Sequence, residues 1–121
     1  MTINELIKAC YTASYTAGWW TDLTTGKSTK ENPLNFSNKL MLIVSEIAEA
    51  MEADRKDLMG DKLPHRKGVE VELADACIRI FDLAGSYDLD LAGAIEEKMK
   101  YNANRLDHKI DNRLQANGKA Y

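Results

Sequence analysis

The sequence predicts an all-α protein, a helical bundle of four to five helices formed by a single domain over residues 1–121. Apolar residues recur with the period of an α-helix along most of the chain. No segment alternates between apolar and polar residues over the length of a strand. Gly and Pro residues interrupt the helical pattern at intervals, as expected for connections between helices. A chain of 121 residues with 45% hydrophobic residues can bury a core of its own.

The first two helices are predicted from their periodic segments and from the residues at their ends. The first helix covers residues 3–17, and Gly18 is a suitable C-terminal cap. A loop rich in Thr, Gly and Asn follows it. The second helix begins near Asn35 or Ser37, which are both good N-caps, and runs to about Asp57. Its predicted core residues are Leu40, Val44, Ile47 and Met51.

A second loop, LMGDKLPH, precedes the third helix, which is predicted over residues 67–84 with Gly85 as its cap. Asp88 or Asp90 then caps a fourth helix. The polar tail is expected to lie over the bundle or to cross to a second subunit. The predicted core residues are Val69, Leu73, Ala76, Cys77, Ile80 and Ala84 in the third helix and Ala92, Ile95, Met99, Ala103 and Leu106 in the fourth.

The second and third helices each carry a pair of acidic residues. Glu46 and Glu49 form one pair, and Glu72 and Asp75 form the other. Each pair has i, i+3 spacing, which places both carboxylates on one helix face. Apolar residues flank both pairs, and carboxylates in such a setting are usually paired with cations or coordinate a metal. Mg2+ prefers oxygen ligands of this kind, with Mn2+ as a substitute, so the pattern predicts a metal site.

The simpler alternative is that these acids belong to solvated helix faces, as most acidic residues do. Two pairs on adjacent helices, each beside an apolar stripe, favour the metal site. The helical register separates Glu70 from the pairs, because it lies about 200° from Glu72 around the helix. Glu70 is therefore predicted to be a surface acid.

Two further groups of residues are candidates for binding a nucleotide. Lys98, Asn102 and Arg105 repeat at i, i+4 and i+7 on the fourth helix, and side chains of this kind bind phosphate groups. Taken alone, such residues are most often ordinary surface. Trp19 and Trp20 follow the first helix and are expected either to cover the end of the bundle or to stack on a nucleobase.

Charge and hydropathy argue against several classes of protein. A formal net charge of −3 argues against non-specific nucleic-acid binding. No apolar run approaches the length of about 18 residues that suggests a membrane-spanning helix, so no membrane association is expected. Cys10 and Cys77 lie on apolar helix faces and are predicted to be small buried residues, which fits a reducing cytoplasm. His65 and His108 are predicted to lie on the surface.

The motifs occur in a specific order along the chain. ExxE on one helix is followed after 22 residues by ExxD on the next, and then by K-x3-N-x2-R. In this order they resemble the MazG-like branch of the all-α nucleotide pyrophosphohydrolases. The similarity spans nearly the whole chain. The segments that carry it are GWW, KLMLIVSEIAEAME, ELADACIRIFDLA, KMKYNANRLDHKIDNR and GKAY.

The resemblance implies a MazG-like bundle that assembles as a homodimer or homotetramer. It also implies Mg2+-dependent hydrolysis of nucleoside triphosphates at the α-phosphorus, giving the monophosphate and pyrophosphate. The implied metal ligands, which are also the implied catalytic residues, are Glu46, Glu49, Glu72 and Asp75. The implied phosphate-binding residues are Lys98, Asn102 and Arg105. Many family members have another Glu where this chain has Ser45, and Glu52 is a candidate substitute.

Two interpretations of another class compete with this one. A carboxylate-bridged di-iron bundle needs Glu-x-x-His motifs, and no Glu in this chain has a His three residues later. The alternative to an enzyme is a non-catalytic, metal-binding helical interaction module. Nothing in such a module requires four matched acids.

Overall fold

The computed structural model describes all 121 residues, and its regular elements are helical throughout. The five α-helices are α1 (Ile3–Thr16), α2 (Asn35–Arg55), α3 (Gly68–Ser86), α4 (Leu91–Asn104) and α5 (Ile110–Arg113). Extended pairing is limited to two isolated bridges, Thr21 with Ser28 and Met59 with Lys67. The predicted all-α class is therefore confirmed.

The chain forms two compact units, residues 1–89 and 90–121, each with its own internal packing. In the first unit α3 is the central helix, since it packs along both α1 and α2. The second unit contains α4 and α5. The single domain over residues 1–121 stays a prediction.

Three helices end in the same backbone motif, with a left-handed residue just beyond the last turn. Gly18 (φ +86°) follows α1, Asp57 (φ +50°) follows α2 and Asp88 (φ +51°) follows α3. In each case the next N–H returns to the carbonyl five residues earlier, at 3.1 Å after α1 and at 2.9 Å after α2 and α3. This Schellman arrangement satisfies carbonyls that a helix end leaves free. Gly18 therefore caps α1, as predicted.

Gly85 lies inside α3, which continues to Ser86, so its prediction as a cap is wrong. A Cβ atom at Gly85 would lie 2.7 Å from Tyr11 Cβ and 3.3 Å from Ile7 Cγ2, both on α1. These distances leave no room for a side chain. The glycine therefore allows α1 and α3 to approach closely, and packing rather than helix termination accounts for it.

The apolar stripe predicted to be the core of α2 faces outward. Its four residues, Leu40, Val44, Ile47 and Met51, are between 44% and 58% exposed. The prediction that they form the core is therefore wrong for the single chain. The buried and half-buried stripe of α2 consists instead of Lys39, Ile43, Glu46, Ala50 and Ala53.

The predicted core stripe of α3 is only partly buried. Ala76 and Ala84 are buried as predicted, whereas Leu73, Cys77 and Ile80 are exposed. The stripe beside it carries polar side chains and is half-buried. Its members are Glu72, Asp75, Arg79 and Asp82. Both helices thus bury polar side chains and leave apolar ones exposed.

An aromatic cluster closes one end of the first unit and explains the position of Trp20, which is 2% exposed. The ring centroid of Trp20 lies 6.4 Å from that of Tyr11 and 5.9 Å from that of Tyr87, in edge-to-face geometry. Phe36 packs edge-on at 5.0 Å from Tyr87. The indole Nε1 of Trp20 donates a hydrogen bond of 2.8 Å to Asp82 Oδ1, so its buried N–H is satisfied.

The second unit begins with a capped helix. Of the two predicted caps, Asp90 is the one used, because its Oδ1 accepts a 3.0 Å hydrogen bond from the N–H of Gly93. The predicted core residues Ala92 and Ile95 are half-buried. The prediction that the other three are buried is wrong, since they are exposed. These are Met99, Ala103 and Leu106.

The two cysteines are free thiols. Cys10 is half-buried, and burial, followed by the charge of Asp82, raises the pKa of its thiol. Cys77 is exposed, so its prediction as a buried residue is wrong. No helix combines the length and the hydropathy that crossing a membrane requires.

Replacement of Gly85 tests the close contact between α1 and α3. Gly85→Ala should lower the free energy of unfolding by about 1–3 kcal/mol, because the added methyl group overlaps Tyr11. Urea unfolding followed by circular dichroism measures the change. In a helix without such a contact, the same substitution would stabilise by roughly 0.5–1 kcal/mol. A variant more stable than the wild type would therefore contradict the contact.

Candidate metal centre

The packing of α2 against α3 brings three predicted metal ligands together. Glu46 comes from α2, and Glu72 and Asp75 come from successive turns of α3. One carboxylate oxygen of each residue lies within 4.8 Å of those of the other two. The i, i+3 spacing on α3 places Glu72 and Asp75 next to each other. The packing of α2 against α3 then brings Glu46 to them.

Glu49, the fourth predicted ligand, lies at the edge of this cluster. Its carboxyl group interacts with those of both Glu46 and Glu72. It is not one of the three residues whose oxygens converge within 4.8 Å. All four acids are thus neighbours, but the Glu49 carboxylate lies beside the three converging oxygens rather than among them.

Arg79 is a member of the site that the sequence did not assign. Its Nε donates a 2.7 Å hydrogen bond to Glu46 Oε1. The Glu46 side chain is only 10% exposed, whereas that of Arg79 is 41% exposed. A buried carboxylate needs such a partner. The signal was present in the sequence, because Arg79 lies one turn after Asp75 on the same polar stripe.

The crowding of the acids shifts two pKa values in opposite directions. Burial, and then repulsion from Glu49, raises the pKa of Glu72. Burial also opposes ionisation of Glu46, but the hydrogen bond from Arg79 and those shared with Glu49 and Glu72 outweigh it and lower its pKa. Of the two, Glu46 is therefore the more readily ionised carboxyl group and Glu72 the less readily ionised one.

The three converging groups fit a hard divalent cation. All are carboxylate oxygens, with no nitrogen or sulfur among them. An octahedral Mg2+ with ligands at about 2.1 Å places neighbouring oxygens about 3 Å apart and opposite ones about 4.2 Å apart. The limit of 4.8 Å between the converging oxygens is close to these separations. Carboxylate oxygens are ligands that suit Mg2+ and Mn2+.

A cavity of about 780 Å³ opens beside the acids and is lined by residues of α1, α2 and α3 and by Trp19. Glu46 and Asp75 contribute to its wall, together with Lys39 and Arg79. Trp19 is 69% exposed. Of the two tryptophans, Trp19 is thus the one with a free ring face, and Trp20 belongs to the core.

The predicted phosphate-binding residues belong to the second unit. Asn102 lies on α4, and its Oδ1 is buried without a hydrogen-bond partner. Lys98 Nζ lies 4.7 Å from the centroid of the Tyr101 ring. Arg105 lies just beyond α4 with extended backbone, so it is not on the fourth helix as predicted. Binding of phosphate by these residues stays a prediction.

Arg105 is engaged by Asp107. Its Nε and Nη2 donate hydrogen bonds of 3.0 and 2.7 Å to the two carboxylate oxygens. Lys119 Nζ adds a contact of 2.7 Å to Asp107 Oδ2. The hydrogen bond from Arg105, followed by that from Lys119, holds the pKa of Asp107 far below its ordinary value. A phosphate bound by Arg105 would compete with this carboxylate.

The remaining predicted residues lie outside the cluster. Glu52 pairs with Lys56 at 2.7 Å, so it is engaged elsewhere on the helix surface. Ser45 donates a 2.6 Å hydrogen bond to the carbonyl of Leu42 and supplies no acid. Glu70, His65 and His108 are exposed, as predicted.

Comparison with protein-family models, with curated proteins and with solved structures found no match to this chain. The resemblance to MazG-like enzymes therefore depends on the order of the motifs and gains no independent support from relatives.

Substitution of Glu72 tests whether the acids repel one another in the absence of metal. Glu72→Gln should raise the melting temperature of the metal-free protein at pH 7 by a few degrees, since removal of one like-charge contact is worth a few tenths of a kcal/mol to about 1 kcal/mol. The pKa of Glu72 is raised on folding, so its ionisation destabilises the folded state above that pKa. Below about pH 4 the group is largely protonated in both states, and the difference should vanish.

Glu70→Gln is the matched control, because Glu70 is exposed on the same helix and forms an ion pair with Arg66, at 3.7 Å. It should show no gain at pH 7. Added Mg2+ should stabilise the wild type and the control, and should stabilise Glu72→Gln much less. If Glu72→Gln melts at a lower temperature than the wild type in the presence of chelator, repulsion between the acids does not destabilise the metal-free protein.

Proposed function

We propose that this protein is a Mg2+-dependent nucleoside triphosphate pyrophosphohydrolase, which converts ribo- or deoxyribonucleoside triphosphates to the monophosphate and pyrophosphate. The observation that carries the proposal is the convergence of Glu46, Glu72 and Asp75 within 4.8 Å. These are three of the four acids in the MazG-like motifs. The choice of reaction comes from the motif resemblance, and the geometry supports the metal-binding part of it.

Each residue of the site has a role in this proposal. Glu46, Glu72 and Asp75 hold the metal, with Mn2+ as a substitute for Mg2+. When bound, the cation would polarise the phosphate oxygens and lower the pKa of a coordinated water. Glu49 lies beside the converging oxygens and accepts the proton from the attacking water. The roles of the second-unit residues in phosphate binding follow from the resemblance alone.

Recognition of the nucleoside is assigned to the cavity in the first unit. Its volume of about 780 Å³ is in the range of small-molecule sites. Trp19 lies on its wall and is an exposed aromatic residue, which suits stacking on a base. Trp20 is excluded from that role because its ring is buried among aromatic side chains.

The second candidate is a metal-binding interaction module without catalysis. The same three carboxylates support it, since metal binding by itself requires no turnover. Glu49 separates the two functions. General-base catalysis by Glu49 belongs to hydrolysis alone, whereas a metal site without catalysis needs no proton acceptor.

Assembly as a homodimer or homotetramer is part of the proposal. The α2 stripe of Leu40, Val44, Ile47 and Met51 is half-exposed, as are Leu73 and Ile78 on α3. Exposed apolar surface of this kind is typical of an interaction site. Burial in a partner would contribute about 1.5–3 kcal/mol per side chain if complete. A cytoplasmic location is also proposed, in agreement with the two free thiols.

The products identify the phosphorus that is attacked. A deoxynucleoside triphosphate with Mg2+ should give equal amounts of monophosphate and pyrophosphate, and no diphosphate. In oxygen-18 water the label should enter the monophosphate, because the attacked α-phosphorus keeps the incoming oxygen. Ion-exchange chromatography and mass spectrometry measure both. Accumulation of diphosphate with free phosphate would place the attack at the γ-phosphorus and exclude the proposed reaction.

Glu49→Gln tests the catalytic role within the same assay. It should lower kcat/KM by on the order of 100-fold, the usual contribution of a general base, while retaining the helical content. Glu70→Gln should retain full activity. Absence of turnover in the wild type with every common nucleotide, together with Mg2+-dependent stabilisation, would favour the interaction module.

Disruption of the α2 stripe tests assembly. Val44→Glu places a charge in the middle of the stripe and should convert a dimer or tetramer to the monomer at micromolar concentration, as measured by light scattering. Leu23→Glu is the control, because Leu23 is 84% exposed in a loop outside the stripe. A monomeric wild type would contradict the proposed assembly.

A further inference from the structure

Arg79 makes an ion pair that leaves most of its hydrogen-bonding capacity unused. Only its Nε bonds to Glu46, at 2.7 Å, and neither terminal nitrogen has a hydrogen-bond partner in the chain. The pair of Arg105 and Asp107 is different, because two nitrogens contact two oxygens at 3.0 and 2.7 Å. The two terminal nitrogens of Arg79 carry four N–H donors in a plane, which is the geometry that binds phosphate oxygens.

Lys39 provides a second cation on the same cavity wall. Its Nζ lies 4.5 Å from the centroid of the Trp20 ring, which holds the ammonium group over a buried aromatic face. Trp20 is itself fixed by its 2.8 Å hydrogen bond to Asp82. Burial lowers the pKa of Lys39, the charge of Asp82 raises it and that of Arg79 lowers it. The two cations are thus close enough to influence each other.

The charges on the cavity wall decide when it can accept an anion. Lys39 and Arg79 are positive, whereas Glu46, Asp75 and Asp82 are negative. The wall therefore carries one net negative charge, and the neighbouring Glu49 and Glu72 add to it. A phosphate chain would be repelled. A divalent cation on the carboxylates would offset two of these negative charges and would also take the oxygen that Arg79 now holds.

We propose that Arg79 exchanges partners when metal binds: it neutralises Glu46 in the metal-free protein, and after displacement by the divalent cation it binds, together with Lys39, the phosphate chain of the substrate. This inference rests on the proposed function, since it presupposes a metal at Glu46. It assigns an anion-binding pair to the first unit, in addition to the phosphate-binding residues predicted on α4. It also makes binding of the phosphate chain in this cavity depend on prior binding of the cation.

The proposal has two opposite consequences for Arg79→Gln. Without nucleotide, Mg2+ should bind about three- to tenfold more tightly than in the wild type, because a competing positive charge has been removed from Glu46. With saturating Mg2+, a non-hydrolysable triphosphate analogue should bind at least about tenfold more weakly. Isothermal titration calorimetry measures both affinities without turnover. Arg66→Gln is the control, since Arg66 pairs with exposed Glu70 at 3.7 Å, and it should change neither affinity.

Arg79→Lys keeps the charge and loses the planar fork, and it protects the test against misfolding of the Gln variant. Its Mg2+ affinity should stay within about twofold of the wild type, while the affinity for the analogue should fall severalfold. Mg2+ binding in Arg79→Gln that is no tighter than in the wild type would overturn the exchange. Analogue binding unchanged in both variants would overturn the phosphate role. A wild type that binds no Mg2+ would instead refute the proposed function itself.

Discussion

The contact between α2 and α3 is the constraint on which the rest of the first unit depends, because it forces carboxylates against one another. Glu46 is buried at this contact, and Glu72 and Asp75 face it from the adjacent helix. Such crowding is unfavourable unless a positive charge is present. Arg79 supplies that charge from the next turn of α3, at 2.7 Å from Glu46. The close approach of the acids therefore depends on the position of Arg79.

The aromatic cluster also contacts two residues of the cavity wall, Lys39 and Asp82. Trp20 fills the end of the first unit and bonds to Asp82, and Asp82 follows Arg79 by three residues on α3. Lys39 lies over the Trp20 ring. A loop residue with no helical periodicity thus positions one cation of the cavity. The same packing leaves Trp19 at the surface beside the opening.

Sequence reasoning predicted the helices and the acid pairs because both depend on local spacing. The i, i+3 positions of Glu72 and Asp75 place them together in any α-helix. Sequence reasoning failed where burial depends on which element packs over a helix face. Periodicity marks the stripe of Val44 and Ile47 as apolar, but it does not say which helix lies against it. Gly85 was assigned to a helix end for the same reason, since only the three-dimensional contact with Tyr11 distinguishes packing from capping.

The outward position of that apolar stripe connects the carboxylate site with the proposed assembly of subunits. A helix that buried Val44 and Ile47 against α3 would rotate Glu46 away from Glu72 and Asp75, because neighbouring positions differ by about 100° around the axis. The observed register favours the acids and leaves apolar surface exposed. A second copy over the stripe would restore the lost burial without disturbing the carboxylates. In the proposed assembly, apolar contacts between α2 and a second copy would offset the cost of the charged site.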